Sequence, residues 1–308
     1  MDCLLSVFGI FAGRKVKVVA HQFFRPVNRC IYCGGSNGKL TDEHIVPFSL
    51  GGTIVLPKAS CEDCQNRINV FETSISTQTY ISFRSAQRFP SRTKSLLDSI
   101  PVIFRVGQTE TRREIPIDDA PVSYTIPHFS LPPYVPGSTG NSPVVLHMHE
   151  ADQQKWNRLF RTYFPKAETA TVHSDGMRIE YFVRLMFKIA YGFAWLVDPD
   201  CAFRWHGREK ILHGNFPRFP RFEDIFSVRT SRLEGEFFSV TTFTEIGSGE
   251  CELYCQVEIL SGDTVPTYVC RLGPTQIRHP FGLEFRPSAD ISDLGGMQLR
   301  LADASHLR

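Results

Sequence analysis

No apolar run in the 308-residue sequence is long enough to span a bilayer: Cys3 to Ala12, the longest near the start, is about half the required length. The nearest basic residues, Arg14, Lys15 and Lys17, follow this run instead of preceding it, so neither a signal peptide nor a membrane helix is expected. Nor is there an excess of one charge, since 34 Lys and Arg face 32 Asp and Glu. Collagen-like and coiled-coil bias are missing, as is any whole-chain repeat, and an apolar content of 42% excludes a wholly disordered chain.

What is present is uneven. Of nine cysteines, four form two Cys-x2-Cys pairs, Cys30–Cys33 and Cys61–Cys64, and the rest stand singly in apolar surroundings. An odd total without a secretory signal points to a reducing compartment, the cytoplasm, where paired thiols hold a metal more often than a disulfide. Cys251 and Cys255 alternate with Leu253, Val257 and Ile259 at period two, which reads as the inside of a strand. Charge is also uneven: residues 14–94 carry 12 basic and 5 acidic residues, so the first third of the chain can face a polyanion.

The fold class expected is α+β. Residues 1–120 read as one unit with a motif-dense core at about 28–75, and Pro101 to Ile117 reads as two short strands around Gly107. Six prolines between 121 and 143, with Gly137-Ser138-Thr139-Gly140, predict a Pro/Gly-rich linker over 121–150. Residues 151–308 read as a second α+β domain of target selection or regulation. There Ser174 and Asp175 can cap a long apolar helix, with Ile179, Phe182, Val183, Met186, Ile189, Ala190, Phe193 and Ala194 recurring at spacings of three and four. Residues 236–272 read as an antiparallel β-meander of three strands broken at Gly247-Ser248-Gly249 and Ser261-Gly262-Asp263, and the tail from Asp290 reads as poorly anchored.

Chemistry concentrates between the cysteine pairs. Two knuckles can close one tetrahedral Zn²⁺ site with no open position, and the 27 residues between them leave room for a β-hairpin, with a helix beginning near Cys61. On that hairpin Glu43-His44-Ile45-Val46-Pro47 sets an acid beside an imidazole, and the helix adds Asn66, Asn69 and Glu72 at spacing three. A neutral histidine and one hard divalent ion, Mg²⁺ or Mn²⁺, supply what phosphodiester hydrolysis needs: a base for water and a cation on the non-bridging and leaving oxygens. Lys58, Arg67, Arg84, Arg88, Arg92 and Lys94 are the basic residues nearby that can hold neighbouring phosphates.

Cys-x2-Cys, Glu-His-Ile-Val-Pro, Gly51-Gly52 and the second Cys-x2-Cys together resemble the zinc-containing branch of the HNH endonucleases, with its ββα-metal finger. The resemblance covers about residues 28–75. It implies His44 as general base, Glu43 as the acidic residue before it, and Cys30, Cys33, Cys61 and Cys64 as zinc ligands. The family's central Asn has no counterpart here, and Lys58 stands near its place; after the fourth cysteine Gln65 replaces the usual Asn or His, and Asn66 follows one residue later. Glu43, Asn66, Asn69 and Glu72 are the candidate Mg²⁺ ligands. The resemblance implies a nuclease acting on double-stranded DNA, with no membrane partner and with a homodimer as an allowed assembly. Two other readings are carried beside it, a non-catalytic zinc-finger binding module and a nuclease gated by a ligand-sensing C-terminal domain.

Overall fold

The computed structural model describes residues 22–89, 91, 96–133, 145–150, 153–172, 176–197, 199, 205, 207–214, 224–228, 238–246, 251–259, 266–275 and 284–285. The first apolar run, Arg92, Lys94, the Ser174-Asp175 cap, the two turns of the meander and the tail from Asp290 lie outside these residues.

Three strands open the described chain: β1 (Gln22–Phe23), β2 (Leu40–His44) and β3 (Ile54–Cys61), in the order β1-β3-β2. β2 and β3 are antiparallel, and β1 runs parallel to β3. The turn between β2 and β3 is a tight one in which Gly52 donates to Pro47 O at 3.1 Å, and a Cβ on Gly52 would lie 1.9 Å from the Val46 carbonyl oxygen. Because that neighbour is backbone, relief requires the turn to move. Gly52→Ala is expected to cost about 3 kcal/mol of stability in urea unfolding; an unchanged midpoint would show that the turn yields freely.

Helix α1 (Glu62–Ser74) starts directly from β3, with Cys61 at its N-cap and Glu62 and Asp63 in its first turn, where carboxylates oppose the positive end of the helix dipole. It buries Cys64, Ile68 and Phe71, spaced four and three apart, against the hairpin. One wide turn, Ile75–Thr79, closed by Tyr80 N–H donating to Ile75 O at 2.9 Å, leads to α2 (Ile81–Ala86). The two strands read around Gly107 are β4 (Ser99–Val106) and β5 (Thr109–Pro116), which pair antiparallel.

The Pro-rich stretch departs from the linker expectation. Ser123–His128 forms β6, antiparallel to β7 (Val145–Glu150), and Val122, Tyr124 and Ile126 are buried at period two. A two-stranded sheet consists of edges, so Pro127, which lacks an N–H, is tolerated within it.

After α3 (Gln153–Tyr163) and β8 (Thr169–Val172), which joins the free side of β4, comes α4 (Ile179–Val197). Every residue from Phe182 to Trp195 is buried. The spacings of three and four in its sequence suggest a single apolar stripe, but the helix is covered all round. α1 and α5 (Gly207–His213) pack on it, as does a five-stranded antiparallel sheet in the order β13-β10-β11-β12-β9. The strands of that sheet are β9 (Ile225–Val228), β10 (Phe238–Ile246), β11 (Cys251–Ile259), β12 (Thr267–Thr275) and β13 (Glu284–Phe285). Cys255 and Cys270, opposite each other on β11 and β12, are buried free thiols of this sheet.

One apolar cluster joins Ile31, Ile45 and Phe71 of the hairpin unit, α4, and Leu253 and Val257 of the sheet. Among the described residues no helix is long and apolar enough to cross a membrane.

Candidate functional site

The cysteine pairs converge. Cys30 to Gly35 forms a knuckle, closed by Cys30 N–H donating to Gly35 O and Gly34 N–H donating to Cys30 O, each at 2.8 Å, while Cys61 and Cys64 ride the first turn of α1. All four Sγ atoms lie within 4.8 Å of one another, and Cys33 Sγ is 3.7 Å from Cys61 Sγ. Tetrahedral zinc with Zn–S bonds near 2.3 Å needs sulfurs about 3.8 Å apart, so the donor set fits that ion. A hydrogen bond from Cys64, aided by backbone N–H groups of Cys33, Cys61 and Tyr32 and opposed by burial, lowers the Cys30 thiol to about 4; Cys64 itself is pushed up by the same bond.

Some distance along the same hairpin, β2 and β3 fall out of step. Thr41 pairs with Ser60 but Glu43 with Leu56, so β3 carries the extra residues of a bulge around Lys58. Lys58 takes up a left-handed conformation (φ 52°), and its N–H donates to Asp42 Oδ1 at 3.1 Å. This local distortion lies beside the segment that presents Glu43 and His44. Glu43 turns inward and is buried, while His44 is half-buried, its ring centroid 5.8 Å from that of Phe48.

His44 lines a cavity of about 490 Å³ between β2, the turn after it and one face of α1. Thr41, Asp42, Glu43, Gln65, Asn69 and Glu72 share its walls. The helical face involved is Gln65, Asn69 and Glu72, at steps of four and three, continued by Ser76 in the wide turn. Asn66 is one residue out of phase and exposed, so it does not line the cavity; Gln65 stands there instead, donating to Asn69 Oδ1 at 3.2 Å. Lys58 is exposed on the bulge, also outside the cavity lining.

The remaining basic candidates are held elsewhere. Arg84 does reach the cavity, yet it is 1% exposed and donates to Ser49 O at 2.6 Å and Ser76 O at 2.7 Å, where it ties α2 to the turn after β2. Arg88 pairs with Asp118 at 2.7 Å, and Arg67 Nη1 meets His213 Nδ1 at 2.8 Å.

A residue the sequence reading passed over completes the site. Lys188, in the middle of α4, is buried with its Nζ 2.8 Å from Glu43 Oε1 and 2.9 Å from Glu72 Oε1. It also donates to the carbonyls of His44 and Ile45. Burial would strip its proton, but the two carboxylates outweigh burial and hold Lys188 above the usual lysine range. Burial, with Glu43 and Glu72 adding to it, likewise pushes the Tyr32 phenol up. The signal in the sequence was a lysine in the middle of a largely apolar helix, since a charge buried there must be paired. Nothing in the linear text names partners 116 and 145 residues away.

The candidate cation ligands therefore differ in kind. Glu72 Oε1 is paired with Lys188, and Asn66 lies off the cavity, whereas Glu43 lines the cavity and keeps its Oε2 outside the Lys188 contact. A hard divalent ion fits at that oxygen; the acidic pair as a whole already holds an ammonium.

Comparison with known proteins agrees with this geometry. Residues 30–77 match the family model of an HNH endonuclease, a segment that runs from the first cysteine through β2, β3 and α1 into the wide turn after it. No curated protein and no solved structure gives a match. The matched domain implies a nucleic-acid substrate and nuclease chemistry in general.

Proposed function

We propose that the chain is a metal-dependent endonuclease that hydrolyses phosphodiester bonds of double-stranded DNA, with His44 as general base. The observation that carries this reading is the His44 imidazole on the wall of an open cavity, on a hairpin whose other end is fastened by four convergent thiols, within the segment that matches the HNH family. A neutral His44 takes a proton from a water molecule in the cavity. The water oxygen attacks phosphorus opposite the leaving oxygen, the P–O bond to that oxygen breaks, and the electron pair leaves with the alkoxide, which is then protonated. Mg²⁺ or Mn²⁺, held by Glu43 Oε2, would neutralise charge on the phosphate. Thr41, Asn69 and Thr73 on the cavity wall offer short polar groups to the sugar-phosphate backbone.

Supercoiled plasmid incubated with the zinc-loaded protein and Mg²⁺ or Mn²⁺ tests the reading. Wild type is expected to cut, and His44→Ala to lose about 10³-fold in rate while keeping its zinc and its unfolding midpoint. Nicked circles point to one active centre per event and linear product to a homodimer. DNA binding without cutting by wild type would replace the enzyme with a binding module.

A further inference from the structure

Taking the nuclease reading of the cavity as given, the least expected feature of the site is its lysine. Three N–H bonds of the Lys188 ammonium serve four oxygens: Glu43 Oε1, Glu72 Oε1, and the carbonyls of His44 and Ile45. Each tie has a distinct effect. The carbonyl contacts fix the backbone that carries His44 at the end of β2. The contact to Glu43 Oε1 fixes that carboxylate on the cavity lining, and the contact to Glu72 fixes α1, the opposite wall. The side chain is 1% exposed, so it is too deep to take hold of a DNA phosphate itself.

Stability alone is a poor reason for such an arrangement, because a buried ion pair rarely outperforms an apolar replacement of the same size. Specific orientation is a better one. We propose that Lys188 is a positioning residue of the hydrolytic site: its ammonium aligns the His44 backbone and the Glu43 carboxylate, and it competes by charge with any divalent ion for the Glu43–Glu72 pair.

This makes an unusual signature. Loss of the ammonium should damage catalysis yet favour the metal, because two released carboxylates form a more negative pocket. Full-length, zinc-loaded protein is titrated with Mn²⁺, bound and free ion being read by electron paramagnetic resonance, and kcat and KM are measured on plasmid. In Lys188→Met, kcat is expected to fall about 100-fold from misplacement of the base. KM should stay close to wild type, since the buried ammonium touches no substrate. Mn²⁺ should bind about tenfold more tightly once the competing charge is gone. An unchanged kcat, or weaker Mn²⁺ binding alongside a retained fold, overturns the proposal.

Should Lys188→Met fail to fold, Glu72→Gln decides. It removes half of the clamp, so kcat should drop about tenfold with Mn²⁺ affinity kept within a few-fold. Outright loss of Mn²⁺ binding would make Glu72 a metal ligand and overturn the proposal, as would an unaltered kcat. A wild type that cuts no DNA ends the nuclease reading only; the Mn²⁺ titrations still judge the lysine, and a wild type that binds no Mn²⁺ removes the competition on which it rests.

Discussion

Cys61→Ser unfolds the hairpin and its helix together. Cys61 ends β3, serves as the N-cap of α1 and supplies one of four sulfurs, so a single atom joins three pieces of backbone. The hairpin it anchors is short, with a bulge in its middle, and Leu40 pairs with Cys61 itself at the far end of the ladder. Structural zinc contributes on the order of 10 kcal/mol to small cysteine-ligated folds, far more than two strands and a helix of this size can replace. Metal analysis is expected to give one Zn²⁺ per wild-type chain, matching the single four-cysteine cluster among the described residues, and well under one for Cys61→Ser. Near-UV circular dichroism and amide exchange over residues 30–77 should collapse in parallel. Retention of zinc and of the wild-type unfolding midpoint by the variant would show that three thiols suffice, and the staple would lose its meaning.

A fragment of residues 1–120 does not fold, even with zinc supplied. The back of the hairpin unit is a surface for α4 and α5. Tyr191 Oη donates to Ile31 O at 2.5 Å, the guanidinium of Arg184 lies 4.7 Å from the Phe71 ring centroid, and Arg208 donates to Tyr32 O at 3.3 Å. Gly192 allows the closest approach, since a Cβ there would sit 3.3 Å from Ile45 Cγ1. Removing α4 exposes this apolar face and leaves Glu43 and Glu72 without the ammonium that neutralises them. Breaking a buried pair by deleting one partner costs about 3–5 kcal/mol before the lost packing is counted. The amide spectrum of the fragment with Zn²⁺ is expected to be poorly dispersed, and its DNA cleavage at background; a well-dispersed spectrum with wild-type cutting would make the hairpin unit autonomous.

The same contacts explain what could and could not be read along the chain. Two Cys-x2-Cys pairs announce their convergence because knuckle spacing is local, and the strands around Gly107 and the meander strands follow from turn residues and period two. Asn66 misled through phase: along a helix one residue is a rotation of about 100°, enough to carry a side chain off the face that Gln65 and Asn69 share. Arg84 misled through burial, for a basic residue near a basic segment gives no sign that two carbonyls will claim it. The strand Ser123–His128 was hidden by its prolines, whose cost depends on whether the neighbouring edge is used. Lys188 was hidden by distance, and only the charged residues within a largely apolar helix, Arg184 and Lys188, hinted at it.

Between Phe182 and Trp195, α4 is covered by the hairpin unit on one side and by the five-stranded sheet on another. A tilt of α4 imposed by the sheet is expected to reach the hairpin unit through Lys188 and through the contacts of Tyr191, Arg184 and Gly192 together.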